Sequence, residues 1–147
     1  MAKKKTAIEK VRRGVPTEVS EMPASWVAKH GPGTIAIPSG EELEERIRQI
    51  PHGATKTTTE LRSEIAKAHG ATLACPLVTG ILWRLIGDAA EEERAAGVGD
   101  VVPYWRLVKE DGKMNEKLPG GIDQHAALLE SEGHQILIKG KNKVLAR

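Results

Sequence analysis

The stretch of sequence that decides the fold is VVPYWRLVKEDGKMNEKLPGGIDQHAALLESEG, residues 101–133. Trp105–Val108 predicts a strand, and the polar run Glu110–Gly112 predicts the turn that ends it. Gln124–Ser131 predicts a helix, and Gly133 suits its end because glycine readily adopts the left-handed backbone conformation found there. The stretch therefore predicts a strand, a turn and a helix within a mixed α+β domain.

Two further helices are predicted upstream of this stretch. Thr57–Glu60 has the spacing of a helix start, and apolar residues then recur at helical spacing until Gly70, at Leu61, Ile65 and Ala68. Pro76 suits the first turn of the next helix, where the missing N–H of proline is not needed. An apolar stripe along that helix comprises Leu77, Val78, Ile81, Leu82, Leu85 and Ile86. Two amphipathic helices joined by a short connection have the layout of a helix-turn-helix.

The remaining segments predict an arm, a strand, a helix and a hairpin. Residues 1–33 are interpreted as a basic tail and an irregular arm, and residues 34–147 as a single domain. Thr34–Pro38 predicts a short strand, and the capping spacing of Ser39–Glu42 predicts a helix that ends near residue 50. At the other end, two short apolar runs flank the basic turn Lys139–Asn142, which predicts a hairpin that serves as a basic wing.

Composition excludes several classes of protein. The chain has 147 residues, enough for one hydrophobic core, and no apolar run long enough for a membrane span. Its charged start does not resemble a secretory signal. The single cysteine, Cys75, cannot form an internal disulfide, and five scattered histidines predict neither a metal cluster nor a cofactor. We therefore expect a cytoplasmic protein, associated with the nucleoid if it binds DNA.

The charges are segregated along the chain. The formal net charge is +2, but residues 1–13 carry six Lys or Arg and residues 139–147 carry four. The body between these ends is acidic. Basic ends on an acidic body are one form of a nucleic-acid footprint, because Lys and Arg bind phosphates without reading sequence. The alternative interpretation is that the basic ends only improve solubility.

Three short motifs lie within residues 101–133. They are Pro103-Tyr104-Trp105-Arg106, then Gly120-Gly121-Ile122, then Leu128-Leu129-Glu130-Ser131-Glu132-Gly133. This order resembles the alkylguanine-DNA alkyltransferase family, in which a Pro-Cys-His-Arg motif is followed by Gly-Gly-Leu and by a helix ending Leu-Leu-x-x-Glu-Gly. Pro51-His52-Gly53 and Thr58-Thr59 also resemble the family, so that the similarity extends over residues 42–133. It implies a winged helix-turn-helix DNA-binding domain, here with an N-terminal arm and a short C-terminal hairpin.

The departures from the family fall at its functional positions. Tyr104 replaces the alkyl-accepting cysteine, Trp105 the histidine, Leu77 the arginine finger and Arg62 a helix tyrosine. Alkyl transfer needs a thiolate, and a phenol with a pKa near 10 is a far poorer nucleophile at neutral pH. The chain is therefore predicted to have no catalytic residue at this position. In this it resembles the alkyltransferase-like proteins, which lack the cysteine and bind alkylated guanine.

The resemblance also implies which residues bind DNA. The helix from Pro76 to Ile86 is expected in the minor groove. The implied DNA contacts are Thr58, Thr59, Arg62, Pro76, Leu77, Thr79, Gly80 and Arg84. The implied base pocket comprises Tyr104, Trp105, Arg106, Gly120, Gly121 and Glu132. The expected partners are double-stranded DNA, including alkylated DNA, and other repair proteins.

Two alternatives remain open at this point. In the first, Tyr104 and Trp105 fill the former pocket as core, DNA binding is lost, and the fold is a protein-interaction module. In the second, the protein is a thiol-dependent enzyme that uses Cys75, which lies at a helix start where the dipole lowers a thiol pKa. His125 and His134 flank the last predicted helix and are interpreted as surface or capping residues.

Overall fold

The computed structural model describes residues 6–146, which form a mixed α+β fold. The helices are Ala7–Val11 (α1), Ala24–His30 (α2), Gly40–Arg48 (α3), Thr58–Ala68 (α4), Pro76–Ala95 (α5) and Gly121–Ser131 (α6). The strands are Glu18–Glu21 (β1), Thr34–Ile37 (β2), Lys56–Thr57 (β3), Leu73–Ala74 (β4), Leu107–Val108 (β5), Ile136–Lys139 (β6) and Asn142–Leu145 (β7). Strand β2 pairs antiparallel with β1 and parallel with β4, β3 pairs parallel with β5, and β6 pairs antiparallel with β7. Within residues 6–146, no helix has the length and apolar character needed to cross a membrane.

Helix α5 is the longest element and organises the main core. Its 20 residues extend over about 30 Å. The helix runs through Gly87, where a side chain would clash because a Cβ atom would lie 2.9 Å from the ring of Pro119. It continues beyond Ile86, the last residue of the predicted helix, and ends at Ala95. Its buried residues are Thr79, Trp83, Ile86, Gly87, Ala89 and Ala90.

The predicted apolar stripe of α5 is only partly buried. Leu77 is 65% exposed and Ile81 is 53% exposed, whereas Ile86 is fully buried. The reason is that Thr79 and Trp83 turn toward the core at helical spacing, which places residues 77, 81 and 84 on the outer side. The stripe therefore crosses from the exposed side of α5 at Leu77 to its buried side at Ile86.

The N-terminal arm is folded rather than irregular. Residues 7–30 contain α1, β1 and α2, and Ala7 and Val11 of α1 are buried in the main core. The side chain of Glu92 accepts hydrogen bonds from the backbone amides of Ala7 (2.9 Å) and Ile8 (3.1 Å). These amides have no partner within the helix, so a distant carboxylate stabilises α1. The predicted tail contacts at residues 1–5 lie outside the described residues.

The C-terminal half follows the predicted order with shifted boundaries. Only Leu107–Val108 of the predicted strand pairs with β3, and residues 104–106 form a 3-10 turn. Asp111 has a φ of 64°, which gives the predicted turn its left-handed residue. Helix α6 begins at Gly121, before the predicted start, and the predicted hairpin is confirmed as β6 and β7.

Candidate nucleic-acid interface

A cleft of about 340 Å³ lies beside the first half of α5. It is bounded by the starts of α4 and α5 and by the loop between β5 and α6. The residues that line it are Thr58, Arg62, Pro76, Leu77, Thr79, Gly80, Ile81, Trp83, Arg84, Lys109, Asn115 and Lys117. All of the predicted DNA-contact residues except Thr59 are therefore gathered at one surface.

The cleft is lined by cations. Arg62, Arg84, Lys109 and Lys117 contribute side chains, and among the described residues no Asp or Glu lines the cleft. The nearest competing acid is Glu110, whose carboxylate accepts a hydrogen bond from Thr59 and lies 3.6 Å from the Arg62 guanidinium. Thr59 is thus held by Glu110 at the rim rather than facing the cleft. The balance of charge at this surface favours an anionic ligand.

Local hydrogen bonds position the start of α4 at the cleft. The Thr57 hydroxyl accepts a hydrogen bond from the Glu60 amide (3.1 Å), which caps the helix. Lys56 and Thr57 pair with Leu107 and Val108, so the same few residues tie the helix start to the loop that carries Lys109. This pairing brings Thr58 opposite the start of α5.

The start of α5 presents apolar side chains around an open glycine. The Thr79 hydroxyl donates a hydrogen bond to the Cys75 carbonyl (2.7 Å) and turns inward. An added Cβ atom at Gly80 would meet nothing within 4 Å, so the backbone there is open to close approach. Leu77 and Ile81 stand on either side of it along the helix. Cys75 itself is buried against Met22 and Ile35 and does not line the cleft.

A buried histidine supports the wall of the cleft. The backbone N–H of Asn115 donates a hydrogen bond to Nδ1 of His125 (3.1 Å). Nε2 of the same ring lies 3.0 Å and 3.1 Å from the carbonyl oxygens of Trp105 and Leu107. Because Nδ1 accepts, the ring is neutral and carries its proton on Nε2. Burial lowers the pKa of His125 to about 4. The prediction that His125 is a surface or capping residue is wrong, since its side chain is fully buried.

Tyr104 lies in the core and not in the cleft. It is 1% exposed, and its hydroxyl donates a hydrogen bond to Glu91 (2.8 Å). Its ring packs against Gly87 in the middle of α5. Burial, together with the hydrogen bond and the negative charge of Glu91, raises the pKa of the phenol above its ordinary value. Tyr104, which was predicted to line a base pocket, does not line this cleft.

Trp105, Arg106 and Glu132 form a separate polar cluster. Arg106 donates hydrogen bonds to Glu132 (2.9 Å) and to the carbonyl of Ile50 (2.8 Å), and Trp105 Nε1 donates to Glu132 (3.0 Å). Burial alone would raise the pKa of Glu132, but the hydrogen bonds from Arg106 and Trp105 lower it below its ordinary value. The cluster joins the end of α6 to the segment after α3.

The cleft and the predicted base pocket are thus different places. None of the six predicted base-pocket residues lines the cleft. Gly120 and Gly121 have positive φ angles of 78° and 71° and form the turn into α6. Trp105 and Arg106 face another depression, beside Arg48 and Arg94 at the far end of α5.

Sequence reasoning missed several residues of the cleft wall. Ile81, Trp83, Lys109, Asn115 and Lys117 line the cleft but were not predicted to contact DNA. A signal in the sequence could have indicated this basic rim, since lysines recur every four residues at 109, 113 and 117.

Comparison of the chain with family models, with curated proteins and with solved structures finds no match.

Proposed function

We propose that this protein binds duplex DNA without catalysing a reaction, in the manner of a winged helix-turn-helix protein. Helices α4 and α5 form the helix-turn-helix, and the hairpin of β6 and β7 forms the wing. The observation that carries this proposal is the combination of a cation-lined cleft with two exposed apolar side chains, Leu77 and Ile81, at the start of α5.

The cations of the cleft suit the phosphate backbone. Arg62 and Arg84 belong to the two helices, and Lys109 and Lys117 to the loop opposite them. Such contacts position a protein on a duplex and supply much of its affinity, but they do not select a sequence. The proposal therefore predicts binding to many sequences with a strong dependence on salt.

The exposed side chains suit the floor of a groove. Leu77 and Ile81 are one helical turn apart, and Gly80 between them leaves the backbone free to approach closely. Proteins that bind the minor groove insert apolar side chains between base steps and so open the stack. Leaving these two apolar side chains in water is unfavourable, whereas burying them against bases removes their apolar area from water and stabilises the complex.

The cleft beside this ridge suits an extruded base. Its volume of about 340 Å³ is within the range of pockets that hold small molecules. Trp83 and Asn115 line it and offer one aromatic edge and one amide. A base held here would be bound and left unrepaired, as in alkyltransferase-like damage sensors, but at a different place from the base pocket that the resemblance implies.

Alkyl transfer is not part of the proposal. Tyr104 is buried and hydrogen-bonded to Glu91, and its raised pKa keeps the phenol protonated at neutral pH. Cys75 is buried on the other side of the α5 start, away from the cleft lining. Neither group offers an accessible nucleophile to a base held in the cleft.

Fluorescence anisotropy with a labelled duplex tests the proposal. Binding should weaken with salt, and four phosphate contacts predict a slope of about −3.6 for log K against log salt concentration. A second duplex carrying one alkylated guanine should bind more tightly if the cleft receives the base. A protein that binds neither duplex at about 50 mM salt would instead be the protein-interaction module on the same fold.

A further inference from the structure

We infer that the folded N-terminal arm carries Lys10 and Arg13 to the opposite side of α5, so that the protein contacts the phosphates of both DNA strands. This inference rests on the proposed function and adds a second set of contacts to it. It concerns the described residues of the arm, not the tail before them.

The first half of α5 separates two cavities. With about 100° between successive residues, Val78, Leu82 and Leu85 lie on one side of the exposed ridge at Leu77. Thr79, Gly80 and Trp83 lie on the other side and line the cleft. The three residues of the first side line a second cavity of about 380 Å³, together with Lys10, Arg13 and Ile81.

Cations line both cavities. Lys10 and Arg13 are exposed and form no salt bridge with any acid in the described part of the chain. Ile81 lines both cavities, so it marks the crest between them. Asp88 lies at the end of this surface. Burial raises the pKa of its carboxyl group, and the positive charges of Arg84 and Lys10 oppose that rise. The ridge is therefore apolar with a basic flank on each side.

Specific contacts fix the position of Lys10 and Arg13. Between them in sequence, Val11 is 1% exposed and Arg12 forms ion pairs with Glu44 and Glu93. Glu92 holds the start of α1 through two backbone amides. The buried and paired residues anchor the arm, which leaves the two remaining cations free to meet a ligand.

Gly40 permits the arm to pass this close. A Cβ atom at residue 40 would lie 2.2 Å from the carbonyl oxygen of Val11, which is a severe clash with backbone. Gly40 lies in the first turn of α3, where alanine is compatible with the helix. Substitution Gly40→Ala should therefore displace the arm without removing any charge.

Basic flanks on both sides of one helix fit a duplex groove. A helix with its side chains is about 10–12 Å across, whereas an undistorted minor groove is about 6 Å wide. The minor groove must therefore be opened, as apolar side chains inserted between base steps do, before cations on both flanks of α5 reach its two phosphate rows. Cations on only one flank would reach one strand. A single-stranded ligand has only one phosphate row, so it cannot engage both flanks of α5 at once.

The test compares salt slopes on one duplex and on one of its single strands. The double variant K10A/R13A should make the negative duplex slope shallower by about 1.8, which corresponds to the loss of two phosphate contacts. Its slope on the single strand should change by less. The variant R62A/K117A removes two cations from the cleft and should lower the duplex slope by a similar amount.

A matched control removes two cations elsewhere. The variant R48A/R94A changes the net charge equally, but Arg94 lies about 20 Å along α5 from Ile81. This distance exceeds the Debye length of about 10 Å at 0.1 M salt, so its duplex slope should match that of the unaltered protein. Circular dichroism and gel filtration verify that each variant is folded.

The outcomes separate this inference from the proposed function. No duplex binding by the unaltered protein overturns both. If R62A/K117A lowers the slope and K10A/R13A does not, the proposed function stands and the role of the arm is wrong. Gly40→Ala provides an independent arm test, because a folded Gly40→Ala protein should reproduce the slope of K10A/R13A. An unchanged slope in both arm variants contradicts the inference.

Discussion

The indole N–H of Trp83 donates a hydrogen bond to the carbonyl oxygen of Tyr104 over 3.0 Å. This bond joins the buried side of α5 to the segment that resembles the acceptor site of the alkyltransferases. Trp83 lines the cleft, whereas the side chain of Tyr104 packs against Gly87 and donates a hydrogen bond to Glu91. Tyr104, the residue that the sequence resemblance aligns with an acceptor cysteine, thus lies behind the cleft wall.

Introducing a cysteine at position 104 should therefore not produce alkyl transfer. The substitution Tyr104→Cys places a thiol where the present side chain is 1% exposed, so we expect no transfer of a labelled alkyl group from DNA. The lost volume should lower the free energy of unfolding by about 3–5 kcal/mol, as for other large buried aromatic truncations. Urea denaturation and autoradiography of the protein measure the two effects.

The control is Tyr104→Phe, which keeps the ring and removes only the hydrogen bond to Glu91. This substitution should lower the free energy of unfolding by about 1 kcal/mol. Alkyl transfer to Tyr104→Cys at a rate above that of the unaltered protein would show that this position opens to the cleft.

The local elements could be predicted from sequence because their causes are local. The capping threonine and serine residues start α4 and α3, and Pro76 starts α5. The first helix of the arm also begins on a local signal, since Thr6 and Glu9 form a capping box, and the interpretation of residues 1–33 as irregular overlooked it. The packing of this helix could not be predicted, because its partner Glu92 lies 85 residues from Ala7 and no local pattern records it.

The contacts of the site were predicted in part for the same reason. Residues from α4 and α5 were expected together, and the cleft gathers them. The direction of Tyr104 could not be read from its motif, because a short 3-10 turn can direct a side chain either way. Gly87 of α5 leaves room for the ring, and only the packed structure reveals that space.

Stability should fall as the pH is lowered from about 6.5 to about 4. Folded His125 stays neutral until about pH 4, whereas in the unfolded chain it takes up a proton near its ordinary pKa of about 6.5. The unfolded state binds more protons in this range, so the contribution of His125 to the free energy of unfolding decreases as the pH falls and becomes constant below about pH 4. His125 contributes about 3 kcal/mol of this decrease.

Urea denaturation at a series of pH values measures the effect. The variant His125→Asn lacks the titrating group, so it should be less stable at neutral pH and have a shallower dependence on pH in this range. Equal slopes for the two proteins would mean that His125 is not the group responsible.

Removing the acid at the cleft rim should strengthen DNA binding. Glu110 lies 3.6 Å from Arg62 and competes with phosphate for its guanidinium. The variant Glu110→Gln should bind the duplex up to about fivefold more tightly, since an exposed ion pair contributes up to about 1 kcal/mol. Glu130→Gln, on the exposed side of α6, is the matched control and should leave affinity unchanged. A gain that is equal in both variants would reflect net charge rather than this contact.

The exposed ridge of α5 should contribute affinity that does not depend on salt. Leu77 is 65% exposed, so Leu77→Ala should leave the free energy of unfolding nearly unchanged. If the side chain is buried against bases, its loss should weaken duplex binding by about tenfold, or about 1.4 kcal/mol. The salt slope should remain that of the unaltered protein, because no phosphate contact is lost. Val98→Ala removes a 41% exposed apolar side chain beyond the far end of α5, outside the cleft and the hairpin, and is the control. Anisotropy titrations that find the same affinity for Leu77→Ala and for the unaltered protein would exclude an apolar wedge at this position.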